Sequence, residues 1–300
     1  MILEELNDNL VSSKVIIILA SYNGGQYISE QIQSILNQTF SSFKLFIFDD
    51  CSTDNTVKLV EKFCKLDSRI SLIKNKKNTG NASSNFLQAL RYIHQEDFDF
   101  IMLADQDDIW HKDKIQKGLE KMLSSPSTVN GYSCSWITFN EDIEKGKYFN
   151  KALKQKKYDH FFESASSGCT YLFDRDVYDK VIEVSANYSF APIYHDWFIY
   201  FVAKENGLGW FIDERAFIYY RQHQNNEFGS GNSLAGKLFR LKLLFSNKWF
   251  EALNANLALN NIDFSKLDFI KIANLFEFRR NNSHSVLVFL YILMMKILSK

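Results

Sequence analysis

VIIILASYNGG, residues Val15 to Gly25, sets the reading of this chain. The apolar run Val15 to Ala20 is unbroken, which suits a strand buried on both faces in a parallel sheet rather than one with a wet face. The run ends in a polar turn, Ser21-Tyr22-Asn23, followed by two glycines. Between Gly25 and Gln38, Ile28, Ile32, Ile35 and Leu36 recur at helical spacing and lay one apolar stripe against the strand. Strand, polar turn and amphipathic helix make a β-α unit.

The unit repeats. LFIF at Leu45 to Phe48 reads as a strand, Asp54 to Leu66 as a helix capped by Asp54, and ISLI from Ile70 as a third strand. Asn81 to His94 places Phe86, Leu87, Leu90 and Ile93 on one helical face, and FDFIMLA from Phe98 to Ala104 is another buried strand. This alternation predicts an α/β fold with a Rossmann-like, mostly parallel sheet flanked by helices. After Trp110 the rhythm loosens. It leaves a helix over Lys112 to Leu123, strands over Tyr132 to Phe139 and Thr170 to Phe173, a helix over Asp196 to Glu205 and a strand leading to Arg221. Past the GSGN turn at Gly229 to Asn232 the chain reads as helices, which divides it into a domain over 1–232 and a C-terminal helical region over 233–300.

Composition excludes several classes. The 300 residues are 46% hydrophobic and include two prolines, a composition that buries a core and is not that of a disordered chain. Lys plus Arg and Asp plus Glu balance at 35 each, which argues against a nucleic-acid partner bound through a strongly basic surface. The balance is uneven along the chain: Leu234 to Lys300 holds ten Lys/Arg against four Asp/Glu, a net of +6. Leu238 to Phe250 mixes basic and apolar residues as a helix lying at a membrane interface does. Val286 to Leu298 is apolar but shorter than the ~20 residues that cross a bilayer, so it suits a helical bundle, a membrane-lying segment or a homodimer contact. Cys51, Cys64, Cys134 and Cys169 form no CxxC pair. The acidic N-terminus lacks signal-peptide order, and a cytoplasmic protein, peripheral on the inner membrane face, is the expectation.

Ligands of open α/β sheets bind beyond the carboxyl ends of the strands. Three such ends are polar here: Ser21-Tyr22-Asn23, Asp49-Asp50-Cys51-Ser52-Thr53-Asp54, and Asp105-Gln106-Asp107-Asp108. Like charges ~4 Å apart repel by roughly 4 kcal/mol at an effective dielectric near 20, so two acidic clusters on one edge call for a cation. Mg²⁺ or Mn²⁺, held by one or two carboxylates and substrate phosphates, meets that need, whereas helix capping is the ordinary use of such residues.

SYNGG, DDCSTD and ADQDDIW, in this order and spacing, resemble the inverting family 2 glycosyltransferases of GT-A fold. DQDDIW, HDW and YRQHQNN are similar to the rhamnosyltransferase-like bacterial members that build surface polysaccharides. The resemblance spans roughly Val15 to Gly229 and implies a metal-dependent transfer of sugar from a nucleotide diphosphate donor, dTDP-rhamnose or a UDP-hexose, to a glycan or lipid-linked glycan acceptor. It implies that Asp50 reads the donor base beside Ala20, Tyr22 and Asn23, that Asp105 lies near the ribose and that Asp107 holds the metal. Asn78 and Gly80 match a donor-side segment, although a turn and helix start accounts for them equally. Asp196 matches the catalytic base, with His195 in place of a common Glu. Gly168 and Cys169 resemble the turn lining the acceptor pocket, and Trp197 lies beside the base. Arg221 resembles part of the segment that closes over the diphosphate, and the resemblance implies His223 as a third metal ligand. The QxxRW motif of processive synthases is missing, which favours single-sugar addition. A non-catalytic carbohydrate-binding protein on the same fold and a metal-dependent nucleotidyltransferase remain the alternatives.

Overall fold

The computed structural model describes residues 8–125, 128–186, 193–223, 247–263 and 270–298. At its centre is β1 (Val15–Ser21), with every residue buried. It pairs in parallel with β2 (Phe43–Asp49) on one side and with β4 (Phe100–Ala104) on the other; β3 (Ile70–Lys74) extends the parallel run beyond β2. The period of two along β1 feeds two cores. Val15, Ile17 and Leu19 pack with Ile28, Ile32 and Ile35 of α1 (Ile28–Leu36). Ile16, Ile18 and Ala20 pack with Phe86 and Leu90 of α3 (Ala82–Tyr92). The continuous apolar run is thereby explained: both faces of β1 are covered by helices.

Helix starts follow local chemistry. Asn81 caps α3 by accepting from Ser84 N at 2.8 Å. Asp54 stands two residues before α2 (Thr56–Leu66) and accepts from Thr56 N at 2.9 Å, so it satisfies the first turn from outside the helix. Beyond β4 the sheet becomes mixed. The full order is β3-β2-β1-β4-β8-β6-β9-β5, with β7 pairing β6; the added strands are β5 (Ile109–Trp110), β6 (Gly131–Phe139), β7 (Lys147–Phe149), β8 (Leu172–Asp174) and β9 (Trp210–Arg221). β8 runs antiparallel to β4 and β6, while β6 and β9 are parallel. The expected strand from Thr170 is shortened because 168–170 form a 3-10 turn. α4 (Lys114–Leu123) and α6 (His195–Glu205) lie where the periodicity put them, and α5 (Arg175–Ala186) was not anticipated.

The C-terminal helices α7 (Asn247–Leu259) and α8 (Asn282–Leu298) share a third core with the first part of the chain. Trp249, Leu253 and Leu257 of α7 and Val288, Phe289 and Ile292 of α8 pack with Phe161, Phe162, Trp197 and Phe201. They do not form a detached appendage. The GSGN turn and most of the expected amphipathic stretch lie outside the described residues; its last part, with Trp249 buried, belongs to α7. Among the described residues no helix is long and apolar enough to cross a membrane. Leu253→Ala empties a fully buried site, and the expected loss is ~2–5 kcal/mol in one cooperative urea transition; two separate transitions would show that the C-terminal helices fold independently.

Candidate active site

Three strand ends are tied into one surface by side chains bonding the backbone of neighbouring loops. Gln106, after β4, accepts from Tyr22 N at 2.9 Å and donates to Tyr22 O at 3.0 Å. Asn23 adopts a left-handed φ of 48° and its Oδ1 accepts from Thr53 N at 2.8 Å, while Asn23 N donates to Ser52 Oγ at 2.8 Å. The close approach needs glycine: a Cβ on Gly24 would lie 2.1 Å from Gln106 Oε1. Asp49, buried, accepts from Ser21 Oγ and from Ser52, and so holds the turn of the second loop. Ala20 is buried beneath this surface and Tyr22 is exposed on it.

Asp50 is buried as well. Its carboxylate accepts from Asn75 Nδ2 at 2.9 Å, from Thr79 N at 2.8 and 3.0 Å, and from Thr79 Oγ1 at 2.8 Å. A carboxylate offers about four lone-pair sites, so this network occupies it and clamps the segment 75–80 over the β2 end. Asn78 completes the clamp by donating to Asp50 O at 2.7 Å and accepting from Gly80 N, and Gly80 takes φ +90°. Asp50 therefore anchors the loop.

The acidic loop after β4 divides into an outer half and a deeper half. Asp107 Oδ2 lies 2.8 Å from His223 Nε2, both side chains 17% exposed, and Tyr27 stacks on the His223 ring at 5.0 Å. Two neighbouring ligands of a six-coordinate Mn²⁺ or Mg²⁺ stand ~3 Å apart when metal-oxygen distances are ~2.1 Å, so the separation and the donor types fit a cation shared by these two residues. The deeper half is Asp108 and Cys169, both buried, with the half-buried Asp105, and the ligand atoms of all three fall within 4.8 Å of one another. It is the poorer metal site: burial, then Asp107 and Asp105, raise the Asp108 pKa well above the carboxylate range, and burial holds Cys169 as a thiol. Lys114 lies beneath, buried and over the Trp110 ring at 3.5 Å, its pKa pushed down by burial to about 8.

The 3-10 turn at 168–170 connects this cluster to Asp196. A Cβ on Gly168 would sit 2.2 Å from His195 Nε2, so only glycine lets the imidazole pass. His195 stacks on Phe86 at 4.3 Å. Its backbone N donates to Ser83 Oγ at 2.9 Å, and Ser83 Oγ donates to Ile193 O at 3.0 Å. With the Ser83 hydrogen so used, the contact at 3.3 Å to His195 Nδ1 requires Nδ1–H as donor, leaving Nε2 as a buried acceptor. Burial lowers the His195 pKa to about 3. Asp196, in the first turn of α6, is half-buried and its pKa is raised to about 6: burial raises it, against the lowering effects of Trp197 N, Lys151 and Ser164.

A glycosyl transferase family 2 model matches residues 16–182. The chain belongs to that family. It is 36% identical over 236 residues to the dTDP-rhamnosyl transferase RfbG of Shigella flexneri, covering 77% of this chain and 80% of that protein. It is 33% identical over 171 residues to the UDP-Glc:alpha-D-GlcNAc-diphosphoundecaprenol beta-1,3-glucosyltransferase WfgD of Escherichia coli, covering 57% of this chain and 62% of that protein. Among solved structures it is similar to Staphylococcus aureus TarS 1-349 in complex with UDP-GlcNAc, with TM-score 0.56, 17% identity, and coverage of 93% of this chain and 81% of that one. It is also similar to a mannosyltransferase from Pyrobaculum calidifontis in complex with GDP-Man and Mn²⁺, with TM-score 0.54, 14% identity, and coverage of 96% and 76%.

Three of the expected site residues make contacts within the protein. Trp197, expected on the acceptor side, is 4% exposed, donates Nε1–H to His160 O at 2.7 Å and stacks with Trp249, so it is core. Arg221, expected over the diphosphate, is paired with Glu30, donates Nε–H to Asp107 O at 2.9 Å and lies between the Tyr27 and Phe139 rings; it braces the acidic loop from below. Cys169 is fully buried against Asp108 and presents nothing to an acceptor. Gln106 and Ser83, which join the loops, and Lys151 and Ser164, which face Asp196, were missed. Gln106 lies inside the ADQDDIW motif, overshadowed by its acidic neighbours, whereas Ser83, Lys151 and Ser164 are brought there only by the fold.

His195 gives the site a measurable acid weakness. Unfolded, an imidazole binds its proton near pH 6.5, whereas here it does so only near pH 3, so between these values the unfolded chain holds more protons and stability falls as pH drops, by at most ~1.4 kcal/mol per pH unit. His195→Gln is expected to flatten the stability-pH curve below about pH 6.5 relative to the parent chain, measured by urea melts; parallel curves would mean that His195 titrates normally.

Proposed function

We propose that this glycosyltransferase moves rhamnose from dTDP-rhamnose, with inversion at the anomeric carbon, to a hydroxyl of a lipid-linked glycan in bacterial polysaccharide biosynthesis. The observation that carries the chemistry is the contrast between two acids: Asp196, its pKa raised to about 6, and Asp107, paired with His223 at 2.8 Å. The donor assignment is supported by the 36% identity to a dTDP-rhamnosyl transferase over 77% of the chain. The lipid-linked acceptor is supported by the likeness to a glucosyltransferase named for a diphosphoundecaprenol-linked acceptor.

In this reading Asp107 and His223 hold Mn²⁺ or Mg²⁺, which offsets charge on the donor diphosphate. Imidazole beside carboxylate suits Mn²⁺ better than Mg²⁺, which prefers an all-oxygen shell. Asp105 faces the ribose side, and the loop surface made by Ala20, Tyr22, Asn23, Asn78 and Gly80 around Asp50 receives the base. Asp196 takes the proton from the acceptor hydroxyl as that oxygen attacks the anomeric carbon and the diphosphate leaves. A base with pKa about 6 is ionised at neutral pH and still accepts a proton readily. Gly168 and the neutral His195 shape the wall beside Asp196. Peripheral contact with an anionic leaflet through 233–300, net +6 from Leu234 onward, brings the enzyme to its acceptor.

Asp196→Asn is expected to lower kcat by about 10²- to 10⁴-fold while dTDP still raises the melting temperature. Asp107→Asn and His223→Ala are expected to abolish the Mn²⁺-dependent part of that stabilisation. Release of dTDP supports glycosyl transfer, whereas release of pyrophosphate would replace it with nucleotidyl transfer. Stabilisation by UDP but not dTDP would overturn the donor assignment, and full activity of Asp196→Asn would overturn the base. The kcat/KM profile should fall on its acid side with a midpoint near pH 6, since protonation disables the base.

A further inference from the structure

Asp196 is supported by a set of residues that reaches from the central sheet to the C-terminal helices. Tyr171, just before β8, donates its hydroxyl to Asp196 O at 3.1 Å and accepts from Ala165 N at 3.2 Å. Ala165 O in turn accepts from Arg280 Nη1 at 2.6 Å. The same guanidinium donates to Lys151 O at 3.3 Å, to Ser164 O, and through Nε to Glu163 Oε1 at 3.1 Å. Arg280 is only 8% exposed, and Asp159 stands 3.8 Å from its Nε. A planar fork of five donors is thus distributed over three carbonyls and a carboxylate, an arrangement a lysine cannot reproduce.

The carbonyls it grips belong to the two segments whose side chains face the Asp196 carboxyl. Ser164 and the positive charge of Lys151 both favour its ionised form. Lys151 is itself fixed, its N donating to Ser135 Oγ at 3.0 Å and its ammonium over the Trp136 ring at 4.8 Å. The charged and titratable groups around Asp196 are therefore Lys151 before the 159–161 turn, Glu163 after it, Tyr171 before β8, His195 on α6, and Arg279 and Arg280 from the segment leading into α8. Glu163 is held by both arginines, with Arg279 Nη2 at 3.1 Å, so its negative charge is already balanced.

We propose that Arg280, delivered by the C-terminal region, is a positioning residue for Asp196: it fixes the backbone that aims Lys151 and Ser164 at the carboxyl and, through Ala165 and Tyr171, the peptide of Asp196 itself. This rests on Asp196 being the base. The C-terminal helices are then part of the catalytic apparatus as well as a packing layer, because Arg280, two residues before α8, completes the support.

The test uses the full chain and follows kcat, the KM for dTDP-rhamnose and the acid limb of the pH profile. Lys151→Met removes a positive charge that favours the carboxylate, so the acid limb moves up by about one pH unit, a roughly fivefold loss near pH 6 that recovers toward pH 8.5. Ser164→Ala moves the limb the same way by less. Arg280→Lys lowers kcat about tenfold and moves the limb up, with dTDP stabilisation and donor KM within about twofold of the parent. An unshifted acid limb in Lys151→Met and Arg280→Lys overturns the proposal, as does loss of donor binding in step with kcat. Should Arg280→Lys fail to fold, Lys151→Met and Ser164→Ala decide by the same limb. Asp196→Asn is measured alongside: activity there removes the base and this inference together, whereas an inactive Asp196→Asn with unmoved limbs in the other variants removes this inference alone.

Discussion

The loops at the carboxyl edge of the sheet owe their shape to side chains that bond the backbone of a neighbouring loop rather than their own. Gln106 pairs with both backbone groups of Tyr22, Asn23 with the turn after β2, and Asp50 with the turn after β3. Each bond is worth only about 1 kcal/mol net, but each satisfies a polar group at the margin of a dry core, where leaving it unmade costs more. The parallel sheet underneath sets the spacing of these loops, since β1 lies in register with β2 and β4 along its length. A shift in any of the three strands would part the loops and open the surface.

Charge is sorted by depth on that edge. Asp49, Asp50 and Asp108 are buried, and the first two accept hydrogen bonds from the surrounding loops, while Asp108 sits above the buried cation of Lys114. Asp107 and His223 remain accessible and face each other. Identical residue types at one sheet edge thus meet different surroundings: a buried carboxylate with enough donors is a structural anchor, and a partly exposed one stands beside an imidazole. On the far side of the Cys169 turn, burial acts on Asp196 and His195 in opposite electrical senses, raising the one and lowering the other, and in both cases it favours the neutral form.

The C-terminal helices enter the same logic through their interior. Their third core meets α6 at Trp197, the residue after Asp196, and at Phe201, and Arg280 carries buried hydrogen bonds from that region to the segment 151–165. A net positive charge concentrated after Leu234 suggested a surface role for this part of the chain. Two of those charges, Arg279 and Arg280, are instead spent on Glu163 inside the protein.

The sequence by itself determined the parallel half of the sheet, its flanking helices, the three polar strand ends and the family, because those features are written in local periodicity and in motifs a few residues long. VIIILA is a doubly covered strand, and DDCSTD and ADQDDIW follow strands wherever the sheet places them. Strand direction beyond β4 was not legible, because an apolar pattern reads the same whichever way a strand runs. Nor were the roles of Arg221, Cys169 and Trp197, whose positions matched but whose partners Glu30, Asp108 and Trp249 are distant in sequence. Proton affinity was equally hidden. Only the tertiary structure decided it, since desolvation and the charges of Lys151 and the acidic loop depend on what folding brings within a few ångströms, and residue type alone carries none of that.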